Sequence, residues 1–200
     1  MATNGPGIER GIVGALVTAA LTVLGPVSAS ATPSGAALVS QVAPVASQPG
    51  GALRWLDQEA AALLTDARRV SPTVARQMAD LDRSGVVVYV KVRLVPRCST
   101  GRLALLGASG DVRYLKIEIS ATNRRDDAIG WLGHELQHAL EVAAAADVRN
   151  EAGLERLYRR IGRPQVHQAS RFETDAAVTV GEQVLGEVRA SRRTLTGSSQ

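Results

Sequence analysis

His134-Glu135-Leu136-Gln137-His138 sets two imidazoles four residues apart, with a carboxylate directly after the first. Inside a helix, four residues turn the chain through about 400°, so both rings stand on one face and can reach a single Zn²⁺. Glu135 lies about 100° further round, beside the metal rather than on it, where a general base for a zinc-activated water belongs. Ile129, Leu132, Leu136, Leu140 and Ala143 gather on roughly the opposite side and form the stripe that packs into a core. With three histidines in 200 residues, chance supplies roughly 0.002 such motifs per chain, so the spacing points to a metal site. Gly130 and Gly133 each cost a helix about 1 kcal/mol against Ala, which is a reason to expect another element pressed close to them.

The motif needs elements to position it. Trp55 to about Arg69 has helical spacing of Leu56, Ala60, Leu63, Leu64 and Ala67, with acids early and Arg68 and Arg69 late, to suit the helix dipole. Ser71 as N-cap and Pro72 at the first helical position open a second helix that Gly85 stops. From Val86 to Val95 the period changes to two, giving a strand with Val88, Val90, Val92 and Leu94 on one face. Leu103–Leu106 and Val112–Ser120 are two further strands joined through Gly107 to Asp111, whose Ser-Gly-Asp is turn chemistry. Three helical stretches follow, at about Arg125–Ala146, Glu151–Ile161 and Arg171–Arg189. The order predicts an α+β fold with two N-terminal helices and a small, mostly antiparallel sheet; the HExxH helix and a later helix follow it.

The ends read differently. Residues 11–24 are uncharged and almost wholly apolar, and Ser28-Ala29-Ser30-Ala31 follows, so residues 1–31 read as an export signal cleaved after Ala31. Fourteen residues reach only about 21 Å, short of a membrane's ~30 Å core. The protein is therefore expected to be exported, periplasmic or extracellular, without a membrane span after cleavage, or anchored if the signal stays uncleaved. Residues 32–53 are an Ala, Ser, Pro and Gly linker, 54–189 the folded domain, and 190–200 a disordered tail.

Composition narrows the possibilities. Apolar residues make up 45% and charged residues 21%, so a packed core is feasible. Aromatics at 3% argue against stacking platforms for single-stranded nucleic acid. The net charge of +4 comes from short basic pairs, not from a run, and these read as solvated arginines; no nucleic-acid partner is expected. The single cysteine, Cys98, excludes an intramolecular disulfide.

With its small sheet, its H-E-x-x-H at 134–138 and its later helix, the chain resembles the zincin metallopeptidases. The metzincin branch would require Gly at 141 and His at 144, where this chain has Glu141 and Ala144. The gluzincin arrangement remains, and it implies a glutamate third ligand from a downstream helix, with Glu173 in Phe172–Ala177 as the candidate. On that helix Ala176, Ala177, Val180 and Val184 share its side, and a zinc ion would resolve the cost of a carboxylate there. Ala177 stands where that group carries an orienting Asp, so the hydrogen bond that orients a ligating His must come from elsewhere, such as Asp175 or a backbone carbonyl. Glu141, seven residues from His134, is a rival third ligand, and His167 is a third ligand, an oxyanion donor, or a loop histidine with neither role. Tyr158 is an oxyanion contact or a packing residue. Pro96-Arg97-Cys98 matches the first letters of the cysteine-switch propeptide of matrix metalloproteases, a match that ends at Ser99 and Thr100.

The resemblance implies an exported zinc-dependent peptidase acting on peptide or protein substrates, with Glu135 as general base and Zn²⁺ as cofactor. It also implies that substrate adds as a strand to the sheet edge, expected at Arg113–Ser120. The alternative is an exported zinc-containing binding or structural module with little or no hydrolytic activity.

Overall fold

A computed structural model describes residues 15–16, 51–94, 100–165 and 168–197. Apart from Ala15 and Leu16, the export signal lies outside the described residues, as do linker residues 32–50, Cys98 and His167. The chain runs β1 (Ala15–Leu16), β2 (Leu53–Trp55), α1 (Gln58–Val70), α2 (Pro72–Asp82), β3 (Val86–Arg93), β4 (Gly101–Ser109), β5 (Val112–Ser120), α3 (Arg125–Ala144), α4 (Glu151–Ile161), β6 (Arg163–Gln165), β7 (Gln168–Glu173) and α5 (Asp175–Gly197). The class is α+β, with five helices and a four-stranded sheet in the order β2-β3-β5-β4. A smaller ribbon has the order β1-β7-β6. Among the described residues no helix is long and apolar enough to cross a membrane.

The sheet is mixed, not mostly antiparallel. β2 pairs parallel with β3 and β3 parallel with β5, while only β4 and β5 are antiparallel. Connectivity explains this. Helices α1 and α2 return the chain to the start of β3, the crossover that parallel pairing requires. β4 then takes the far edge, and its hairpin brings β5 back into the slot beside β3. At the hairpin Gly110, with φ of 53°, takes the left-handed conformation that the two-residue turn needs. Arg113–Ser120 is consequently an interior strand bonded on both sides, and β4 is the edge.

Alternation along β3 and β5 places Val86, Val88, Val90, Leu115, Ile117 and Ile119 on the inner face, all buried under the helices. Local chemistry starts the first two helices: Asp57 accepts from the Ala60 N–H at α1, and Ser71 from the Val74 N–H at α2. Glu187 of α5 reaches the same α2 terminus, accepting from the Thr73 N–H at 3.1 Å and the Thr73 hydroxyl at 2.6 Å. Buried Arg113 ties β5 to the other end of α3, donating to the Val142 and Ala145 carbonyls at 2.8 Å each. A guanidinium at a helix C-terminus also suits the dipole.

Three boundaries differ from the sequence reading. The linker does not extend to Leu53, because Leu53–Trp55 pairs with Val88–Val90 as β2. The last helix begins at Asp175, since Arg171–Glu173 belongs to β7. Its far end continues through residues 190–197, where a disordered tail was expected. Arg192 supplies a physical reason, bridging from that segment to Asp66 at 2.8 Å and Asp126 at 3.3 Å.

Burial alone would raise the Asp66 carboxyl, but hydrogen bonds from Arg192, Arg125 and Arg69 hold it at about 2, below the ordinary Asp value. A carboxyl depressed in the folded state contributes stability above its unfolded pKa and loses it as pH falls through the folded one. Asp66→Asn should therefore cost on the order of 1 kcal/mol at pH 7, after allowance for solvent screening. That cost should fade between about pH 4 and pH 2. Urea unfolding of both proteins across this range checks it; an undiminished gap at pH 2 would assign the loss to packing instead.

Candidate metal centre

Helix α3 carries His134, Glu135 and His138 on its buried length, each 2% exposed or less. His134 and His138 stack edge to face, with ring centroids 4.9 Å apart, as four-residue spacing demands. Glu173 reaches them from the end of β7. Its Oε1 lies 3.3 Å from His134 Nε2 and 3.5 Å from His138 Nε2, and the three ligand atoms fall within 4.8 Å of one another. The group could hold a metal ion.

Glu173 thus joins the histidines, but from a strand end and not from the helix face inferred for it. Thr174 marks the change. Its hydroxyl accepts from the Ala177 N–H at 3.1 Å and so caps α5, while its own N–H donates to Glu173 Oε1 at 3.0 Å. One residue starts the helix and orients the carboxylate before it. Thr174 followed by an acidic residue in the first turn is a capping signal present in the sequence, hidden there by the helix-forming alanines that follow.

The donor atoms fit a metal. Both Nε2 atoms are buried and accept or donate no hydrogen bond, a costly condition for polar atoms unless a ligand completes them. A tetrahedral ion with bonds of about 2.0–2.1 Å places its donors about 3.3 Å apart, close to the two His–Glu separations.

The outer nitrogens are held from behind. His138 Nδ1 meets Glu141 Oε2 at 2.8 Å, and Glu141 Oε1 accepts from the Thr174 hydroxyl at 2.6 Å. Glu141 therefore sits on the opposite edge of the ring from Nε2, as the carboxylate partner of a candidate ligand and not as the third ligand. Its position three residues after His138, on the same helix face, was the signal that could have found this role. The Ala177 backbone lies beside His134 and favours its protonated form, so of the two proposed supports the backbone is the one near it. Asp175 instead is exposed and pairs with Arg163.

The electrostatics of the two rings diverge. Burial and the neighbouring His138 hold His134 down at about 3, against the lift of its bond to Ala177. Burial also disfavours charge on His138, but the Glu141 hydrogen bond, the Glu173 carboxylate and the charge of Glu135 push it up to about 10.

Tyr158 is fully buried, packs edge-on against the His138 ring at 5.4 Å and stacks with Phe172 at 6.5 Å. Its hydroxyl faces the His138 carbonyl at 3.5 Å, and burial raises its pKa well above the ordinary value. It is a packing residue behind the ring and is not placed as an oxyanion donor. Glu135 lies against the start of β4, where a Cβ on Gly101 would come within 2.9 Å of Glu135 Oε1. The two glycines of α3 meet α5, as their presence suggested: a Cβ at Gly133 would fall 2.7 Å from Val184 Cγ2, and one at Gly130 3.4 Å from Leu185 Cβ.

Against protein-family models, curated proteins and solved structures, the chain finds no match.

Carboxylates behind ligating histidines typically contribute 10–100-fold in metal affinity. Glu141→Ala should weaken the binding of a divalent metal ion, with zinc as the probe, by about that factor, measured by competition with a chelator, while leaving far-ultraviolet circular dichroism unchanged. An affinity equal to the parent's would remove Glu141 from the support of His138.

Proposed function

We propose that the chain is an exported zinc-dependent peptidase of zincin-like arrangement, gluzincin-like in taking its third ligand from Glu173. The observation that carries this reading is the convergence of His134 Nε2, His138 Nε2 and one Glu173 oxygen, with both nitrogens otherwise unbonded. Two imidazoles and one carboxylate are a donor set that zinc accepts with a fourth position left open. When bound there, zinc supplies a Lewis acid that polarises a carbonyl and acidifies water.

The chain's own residues supply the rest. Glu135 follows His134 on α3 and is turned toward the first residue of β4. Its carboxylate takes the proton from the attacking water and passes it to the leaving amine. Thr174 and Glu141 fix Glu173 and His138, so two of the three ligands are oriented before substrate arrives. Strand β4 is the edge of the four-stranded sheet, with the short β1 near it, and we read this edge as the place where an extended peptide would add.

The second reading is a zinc-containing structural or binding module, favoured by the complete burial of Glu135 and His138. A buried, closed site suits a structural ion.

Metal content and turnover of a peptide library separate the two readings. The parent and Glu135→Gln should each carry one zinc per chain, whereas His134→Ala and Glu173→Ala should lose it or bind it far more weakly. Glu135→Gln should lower turnover by about 10²–10⁴-fold. Zinc without turnover in the parent establishes the structural module, and undiminished turnover in zinc-loaded Glu135→Gln would sink the general-base role.

A further inference from the structure

We propose that the outer face of the four-stranded sheet, turned away from the helices, docks the protein on an anionic lipid surface. Strand register puts Arg54 of β2 beside Tyr89 of β3, Tyr89 beside Lys116 of β5, and Lys91 beside Glu118; Arg102 of β4 completes that last row. Arg93 follows Lys91 on the same side of β3, two residues on. The face therefore carries five cations, which include both lysines of the chain, against one carboxylate.

The charge distribution is lopsided. The chain has 23 basic and 19 acidic residues, of which Arg10, Arg97 and Glu9 lie outside the described residues. With five cations and one carboxylate on this face, 16 basic and 17 acidic residues lie elsewhere among the described residues, so the positive excess described is concentrated here. The sequence could not show this, since the five residues come from four strands and form no run.

Glu118 does not neutralise the face. It is 1% exposed and is shared among Arg93 at 3.0 Å, Lys116 at 3.3 Å and Arg102. Arg54 and Lys91 are exposed beside this cluster. Apolar tips accompany the charges: Leu106, 54% exposed at the β4 bulge, lines a shallow hollow of about 370 Å³ with Tyr89 and Tyr114.

Shape and chemistry favour lipid over a nucleic-acid strand. Four strands at about 4.8 Å spacing spread the cations over roughly 14 Å of open sheet. A single nucleic-acid strand is served by a charged groove with aromatics in line along it. Basic side chains over a broad face, with a protruding leucine and two tyrosines, match headgroup attraction with interfacial anchoring.

The test uses the full chain and vesicles of phosphatidylglycerol with phosphatidylcholine, or of phosphatidylcholine alone. Arg54→Glu/Lys91→Glu is compared with Arg156→Glu/Arg160→Glu on exposed positions of α4, which gives the same net charge without touching the face. Binding should need phosphatidylglycerol and weaken with salt. At about fivefold per lost cation, Arg54→Glu/Lys91→Glu should weaken it by about twentyfold or more, and the α4 variant by far less. Should the first variant unfold, Arg54→Gln/Lys91→Gln against Arg156→Gln/Arg160→Gln makes the same comparison. Equal losses in both variants, or equal binding to neutral vesicles, overturn the proposal. So does binding of a single-stranded oligonucleotide through Arg54 and Lys91 without vesicle binding, which would assign the face to nucleic acid.

Discussion

Helices α3 and α5 meet through glycines, and the candidate metal centre depends on that close contact. Gly133 leaves room for Val184, and across the same seam a Cβ on Gly181 would stand 3.2 Å from His134 Cβ. A side chain at either glycine would push the helices apart. Glu173 lies immediately before α5 and moves with it, so the spacing of the helices sets how near its carboxylate comes to the imidazoles. The roughly 1 kcal/mol cost of Gly133 within α3 is thus offset by a contact with Val184 that a side chain there would not allow.

Polar groups from distant parts of the chain hold this pair in its frame. Arg113 reaches from the middle of the sheet to the last carbonyls of α3, and Glu187 from α5 to the opening turn of α2. Each places a charge of the sign that a helix end favours while also satisfying exposed backbone groups. Gln77 adds a further tie, its side-chain amide donating to the Gly133 carbonyl at 3.0 Å at the seam itself. The result is a set of struts around the glycine contact, with the apolar face of the sheet as floor.

Much of this could be read from local pattern, where local pattern governs. Alternating valines defined β3, and α4 spans Glu151–Ile161 as expected. The two glycines of α3 announced a close neighbour. Strand direction could not be read, because it follows from the order in which distant segments fill the sheet. Glu173 was found for a helical reason that does not apply: Thr174 breaks the segment into a strand end and a helix start, and both alternatives look alike in Phe-Glu-Thr-Asp-Ala-Ala. Glu141 faces the zinc side of the helix wheel, as inferred, but a wheel cannot say which edge of an imidazole it meets. The end of α5 was missed because its hold on Asp66 and Asp126 is tertiary.

Strand β4 is a wall with two tenants. Gly101 lies against Glu135 on the helical side, and Arg102, the next residue, reaches Glu118 on the opposite side. Because side chains alternate, inserting or deleting one residue between Gly101 and Leu105 would exchange the two sides, placing a guanidinium where the glycine must be. Beyond Leu105 the constraint ends, for the strand already absorbs an extra residue in the bulge before Gly107. Changes of length in this protein are therefore tolerable on the hairpin side of that bulge, while the first five residues of β4 must be inherited as a fixed unit.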